Sequence, residues 1–152
     1  MDRIVTANPT NLPALILSAQ AAAQQGDSAA AIARFRTIVN IDHSNMMALN
    51  NLAYMLGGSD TGEALKYAQQ AAELAPDNAA VQDTLGWTYY RMGRSDMAVR
   101  YLKAAVDKES TPRRQFHLGM SYLKMGAQAT GQKLVREALA KDPNLAKTEQ
   151  GW

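Results

Sequence analysis

Apolar residues recur along this chain at the spacing of one helix face. Leu49, Leu52, Ala53 and Leu56 stand at i, i+3, i+4 and i+7, and Ile32, Phe35, Ile38 and Val39 follow a similar stripe. Leu65, Ala68, Ala72 and Leu74 continue the series, and Leu134, Val135, Ala138 and Leu139 close it. The stripes are separated by helix stops and starts. Gly26-Asp27 supplies a stop and a new N-cap, Gly57-Gly58-Ser59-Asp60 a second turn, and Gly93 and Gly126 mark two more. Asp60 with Glu63 predicts a capping box, and Ser59-Asp60 and Ser95-Asp96 read as helix caps rather than as a nucleophile and its orienter. Pro13 and Pro112 sit in first helical turns, where a missing N–H costs nothing.

The stripes are copies of one another. Ser18-Ala19, Leu52-Ala53, Leu85-Gly86 and Leu118-Gly119 are separated by 33 or 34 residues. Ala31, Ala64, Ala98 and Gly131 keep the same register, as do Ile38, Ala71, Ala105 and Ala138. Segment ends fall at His43, Pro76, Ser110 and Pro143. A period of this length means an array of helix pairs. The spacing predicts units over residues 12–45, 46–78, 79–111 and 112–145, with residues 146–152 as a tail. Residues 1–11 read as the remnant of an upstream repeat, because Pro9 precedes the first unit by the offset at which Pro76 precedes Ala79. No polar helix is expected after Lys141, which leaves Leu134, Val135, Ala138 and Leu139 uncovered and predicts a fragment of a longer array or self-association through an uncapped end.

The order Leu85-Gly86, Tyr89, Gly93, Ala98, Leu102, Ala105 resembles the tetratricopeptide repeat. Leu118-Gly119, Tyr122, Gly126, Ala138 and Pro143 repeat the resemblance in the fourth unit, and Leu52-Ala53, Ala64, Tyr67, Ala71 and Pro76 in the second. The first unit matches only at Ala19, Gly26, Ala31 and Phe35. Gly131 stands where alanine is usual, and His43 and Ser110 where proline is usual. The resemblance covers roughly residues 12 to 145 and implies an all-α fold, a right-handed superhelix of about four tandem antiparallel helix pairs. Asp83-Thr84-Leu85-Gly86-Trp87 and Phe116-His117-Leu118-Gly119 are similar to the last repeats of bacterial exported repeat proteins, including lipoproteins associated with exopolysaccharide and sorting systems, which would place a parent protein in the periplasm or envelope; otherwise the expectation is cytoplasm.

The resemblance also implies a concave groove lined by the first helix of each unit. Carried over position by position, the candidates are Ile16 and Gln20; Met47, Asn50, Asn51 and Tyr54; Asp83, Thr84, Trp87, Tyr90 and Arg91; and Arg113, Phe116, His117, Met120 and Lys124. Trp87 and Tyr90 are expected to face the groove, because Leu85, Gly86 and Tyr89 already fill the core positions of their helix; packing between helices is the alternative. Asn51 would hold an extended backbone, although Leu17, Thr84 and His117 replace it in the other units. The basic pair-and-asparagine pattern of the chaperone-tail clamp is not reproduced. The implied partner is a protein or peptide segment.

Composition narrows the chemistry. The chain lacks cysteine, which excludes disulfides and thiol nucleophiles, and carries neither a phosphate loop nor a Gly-x-Ser-x-Gly or His-Glu-x-x-His motif. His43 and His117 have no carboxylates at helical spacing to build a metal site. No enzyme activity and no cofactor are expected, and no apolar stretch reaches 18 residues, so no membrane span is expected either. Charge is uneven: residues 1–90 hold four Lys/Arg against eight Asp/Glu, and residues 91–152 hold twelve against six. The basic half reads as a solvated face or as a surface for an acidic partner. Phosphate contact with stacking on Tyr101, Phe116 and Tyr122 would make nucleic acid or another acidic polymer the alternative partner.

Overall fold

The computed structural model describes residues 11–149; the expected remnant at residues 1–11 and the end of the tail therefore fall largely outside the described residues. The described chain is all α, in the order α1 (Leu12–Gln24), α2 (Ser28–Ile41), α3 (Met46–Leu56), α4 (Thr61–Leu74), α5 (Ala79–Arg91), α6 (Ser95–Lys108), α7 (Pro112–Lys124), α8 (Gln128–Lys141) and α9 (Leu145–Thr148). Each helix packs on the next, and α5 also meets α3 and α7. The odd-numbered helices of successive pairs thus adjoin along one side of a solenoid.

Polar side chains set the starts. Asn11, Asp27, Asn45, Asp60, Asn78 and Thr111 each accept a backbone N–H from the first turn of α1, α2, α3, α4, α5 and α7. The capping box at α4 is only half formed. Asp60 accepts the N–H of Glu63 at 2.9 Å, but the Glu63 carboxylate turns away to Arg36. Ser95 does not cap α6 as expected: Arg94 occupies the N-cap without a side-chain bond, because the helix begins one residue earlier than a serine cap requires.

Close approach explains the small residues. A Cβ on Gly86 would stand 2.6 Å from Leu102 Cγ and 3.0 Å from the Leu102 backbone nitrogen, so α5 and α6 touch at that point. In the fourth pair two glycines share the contact. A Cβ on Gly131 would lie 2.8 Å from Gly119 O, and one on Gly119 3.0 Å from Gly131 O. The departure of residue 131 from the usual alanine therefore follows from backbone meeting backbone.

The largest apolar cluster joins α1 to α5 through Leu15, Phe35, Ile38, Leu49, Leu52 and Val81. A second, around Leu85, Tyr89, Leu102 and Leu118, joins the third pair to its neighbours. The expectation that nothing follows Lys141 is corrected by α9. Leu145 is 4% exposed and closes over Phe116 and Ala138, with Met120, Val135 and Leu139 packed around them, so the stripe expected to be bare is partly covered: Ala138 is buried, and Leu134, Val135 and Leu139 are half-buried. The cover forms because Asp142-Pro143-Asn144 turns the chain, with Leu145 N–H donating to Asp142 O, and starts a new helical turn.

Candidate functional site

The helix period brings the predicted residues together. On α5, Asp83, Trp87 and Arg91 are spaced by four; on α7, Arg113 and His117 are likewise; and on α3, Asn50 and Tyr54 are. Because α5 lies between α3 and α7, these three rows converge on one face.

At the centre is a buried charge network. His117, with no exposed surface, donates from Nδ1 to Asp83 Oδ1 at 2.8 Å, and Arg113 donates to Asp83 Oδ2 at 3.2 Å. The other ring nitrogen, Nε2, stands 3.1 Å from Glu149 Oε2, a close ionic approach. Glu149 comes from the residue after α9 and is itself buried. Tyr54 Oη donates to its carboxylate, 3.2 Å from both oxygens, and Arg91 reaches its backbone carbonyl at 3.4 Å. One residue of the C-terminal segment is thereby held from α3, α5 and α7 at once.

Burial and charge compete in setting protonation. Burial alone would lower the pKa of His117, but the two carboxylates flanking it outweigh that and raise it, so the ring is held as imidazolium. Burial would raise Asp83, yet His117 and Arg113 hold it below the ordinary carboxylate range; Glu149 is lowered by the same competition, with His117, Arg113 and Tyr54 opposing burial. Burial, and then the Glu149 charge, push the Tyr54 phenol up to about 12. Burial drives Arg113 down, and Asp83, Tyr54 and Glu149 together outweigh it and raise it.

Aromatic rings wall the network. Trp87 lies flat between His117 (4.0 Å between ring centroids, 12° between planes) and Tyr90 (4.4 Å, 4°). Arg91 sits 5.6 Å over Trp87, Lys124 sits 4.4 Å over Tyr90, and Arg113 sits 5.2 Å over Tyr54. A pocket of about 210 Å³ adjoins this wall, lined by Ala23, Asn50, Asn51, Tyr54, Met55, Thr84 and Arg113.

Several expected positions are placed differently. Trp87 is 5% exposed, so the expectation of an open groove-facing indole is corrected: the stack with His117 and Tyr90 encloses it. Phe116 is buried at 2% in the cluster under Leu145, and Met120 packs beside it. Asn51 donates its amide to Met47 O within its own helix at 2.8 Å. Lys124 is exposed and bonds Tyr90 O at 2.9 Å. Ile16 packs on the first apolar cluster, and Gln20 is exposed. His43 donates to Val39 O in its loop, well apart in sequence from the network. The basic half is partly paired: Lys103 with Asp107, Lys108 with Asp77, and Arg114 with Glu109.

Glu149 was not among the expected residues. Its signal is short: after Pro143, Leu145 and Glu149 are four apart, so one turn of helix aims both inward.

Known proteins share the repeat architecture. The tetratricopeptide repeat profile matches residues 55–118, from the end of α3 into α7. Its repeats are tetratricopeptide repeats. A TPR repeat-containing protein of Pseudomonas aeruginosa is 34% identical over 113 residues, which is 73% of this chain but 19% of that protein, so the chain spans about a fifth of the length of that relative. Among solved structures, TTC0263, a thermophilic tetratricopeptide-repeat protein of Thermus thermophilus, superposes with a TM-score of 0.77 at 24% identity, covering 99% of this chain and 85% of the other. The MamA protein superposes at 0.75 with 23% identity, covering 96% and 81%. At these identities the likeness is one of fold. The charge network lies along the odd-numbered helices; Asp83, Trp87 and Arg113 fall inside the matched repeats, whereas Glu149 lies beyond them. Among the described residues no helix is long and apolar enough to cross a membrane.

Proposed function

We propose that the chain is a non-catalytic scaffold that holds a protein or peptide segment across the face formed by α3, α5 and α7, as part of a larger bacterial assembly. The observation that carries this reading is Glu149. A piece of polypeptide lies on that face with its side chain and its backbone carbonyl both bonded by groove residues, which is how a partner segment is gripped. The adjoining pocket at Asn50, Asn51 and Thr84 extends the contact surface beyond the charge network. Mixed aromatic and arginine side chains at the centre suit a binding hot spot. The periplasmic or envelope setting rests on the short resemblance of Asp83–Trp87 and Phe116–Gly119 to exported repeat proteins.

The test starts from the parent protein purified with its bound polypeptide. That polypeptide is then titrated against this chain and against Arg113→Glu. A loss of tenfold or more in affinity is expected, with only modest weakening by salt. Unchanged binding by Arg113→Glu would place the partner elsewhere. Affinity that falls steeply and linearly with the logarithm of salt concentration, for nucleic acid as well as for the polypeptide, would favour the acidic-polymer alternative.

A further inference from the structure

We infer that Tyr54, Arg91, Arg113 and His117 form a seat for the side-chain carboxylate of a glutamate in a partner segment, and that Glu149 is this chain's own occupant, which the partner displaces. The inference rests on the groove reading above and names what the groove selects.

Charge decides the occupant. Arg113 and the imidazolium of His117 share one carboxylate, Asp83, which leaves a positive charge to be met beside the buried His117 ring until Glu149 arrives. Such a site favours an anion strongly, because burying uncompensated charge is costly. Geometry selects a carboxylate. The phenol of Tyr54 stands equally far, at 3.2 Å, from both carboxylate oxygens, and His117 Nε2 meets one of them at 3.1 Å. Nε2 has no acceptor within reach other than the Glu149 carboxylate, so the seat on that side of the ring is filled by this one group. Arg91 takes a backbone carbonyl, so the seat reads a residue within a chain rather than a free acid.

The occupant is lightly anchored. The four-residue α9 is held by one buried side chain, Leu145, and its remaining residues are partly or fully exposed. Segments with so few buried contacts open at far less than the global unfolding free energy. A short tether nevertheless keeps Glu149 near its seat at an effective concentration on the order of millimolar. A partner therefore binds with an apparent dissociation constant equal to the intrinsic one divided by the fraction of time the seat is open.

The test uses the full chain and a synthetic hexapeptide, Leu-Ala-Lys-Thr-Glu-Gln, with an analogue carrying Gln in place of its Glu. The His117 imidazole resonances are followed by NMR at pH 6 as peptide is added to the millimolar range. In Glu149→Gln the peptide is expected to shift these resonances at a concentration at least tenfold below that needed in the parent chain, and the analogue to leave them unmoved in both. Glu149→Ala should behave as Glu149→Gln, which covers the case in which the amide stays seated. An equal response in parent and variants overturns displacement. No response in folded Glu149→Gln and Glu149→Ala overturns the seat; the groove reading survives that result if the co-purified partner still binds, and falls with it if the partner does not.

Discussion

The two halves of this solenoid are built from the same repeat, but only the second adds a buried charge network to its apolar packing. From α1 to α4 the interior is apolar, with Phe35, Ile38, Leu49 and Leu52 at 1% exposure or less. From α5 to α9 an apolar cluster around Leu85, Tyr89, Leu102 and Leu118 also packs the pairs, but beside it lies the buried network of Asp83, His117, Arg113 and Glu149. Hydrophobic burial is non-directional and indifferent to pH. A buried ion network depends on every partner and on protonation. The repeat thus accommodates a charged centre in one half and an apolar one in the other.

Removing one partner from each centre should separate them most sharply. Asp83→Ala leaves Arg113 and His117 facing each other with no anion between them, and a loss of about 3–5 kcal/mol is expected for breaking a buried pair. Leu52→Ala creates a cavity in the other half and should cost about 2–5 kcal/mol. Urea unfolding measures both. The decisive difference is in pH. His117 faces Asp83 and Arg91 on α5, Tyr54 on α3, Arg113 on its own helix and Glu149 after α9. Its folded pKa is raised, so its contribution is complete below the unfolded value of about 6.5 and fades as pH climbs through the folded value. Asp83 and Glu149 are lowered, so theirs is present above about 4 and lost as pH falls through the folded values. The gap in thermal midpoint between the parent chain and His117→Gln should therefore be widest between about pH 4.5 and 6.5 and narrow at alkaline pH. The gap for Leu52→Ala should stay level. A His117→Gln gap that widens with rising pH would sink the imidazolium assignment.

Sequence reading reached these halves unequally, for a physical reason. Helix pairs, turns and their period were legible because packing imposes them at every repeat: Gly86 must be small against Leu102 wherever the chain is read. The groove register implied by the tetratricopeptide resemblance also selected Tyr54, Asp83, Arg113 and His117. Register does not say what lies over a face. Trp87 was expected in the open because nothing in a 33-residue period encodes its stack with His117, a residue one unit away. Glu149 escaped notice because α9 is one turn long, too short for periodicity to show, and because the residues it meets are about 30 to 95 positions earlier.

Between the second and fourth pairs the comparison sharpens at Gly131. Alanine is the repeat's usual residue there, and Ala64 and Ala98 occupy the same register with no exposure. Substituting Gly131→Ala would improve helix propensity by up to about 1 kcal/mol. The added carbon, however, meets Gly119 O at 2.8 Å and Leu123 Cγ at 2.7 Å. The leucine can yield, but a backbone carbonyl cannot without moving α7 against α8. A net loss of about 1–3 kcal/mol is expected from overpacking. A stabilised Gly131→Ala protein would show that the two helices separate freely, and would reduce the glycine pair to a chance departure.

The smallest effect expected is on the surface of the apolar half. Arg36 on α2 bonds Glu63 on α4 at 2.5 Å, and Glu63 also accepts from Tyr67 at 3.3 Å. With the Arg36 side chain 46% exposed, water competes for both charges and salt screens them. Glu63→Gln should change unfolding free energy by no more than about 1 kcal/mol, and less at high salt. The pair bridges two consecutive repeats, as Asp83 and Arg113 do, so the geometry of connection is alike, and what differs is burial of the carboxylate, 29% exposed in Glu63 and 1% in Asp83. Measuring Glu63→Gln and Asp83→Ala in the same buffer at low and high salt isolates that variable. A Glu63→Gln loss approaching that of Asp83→Ala would mean that linking neighbouring repeats, rather than burying the charges, is what gives the groove network its weight.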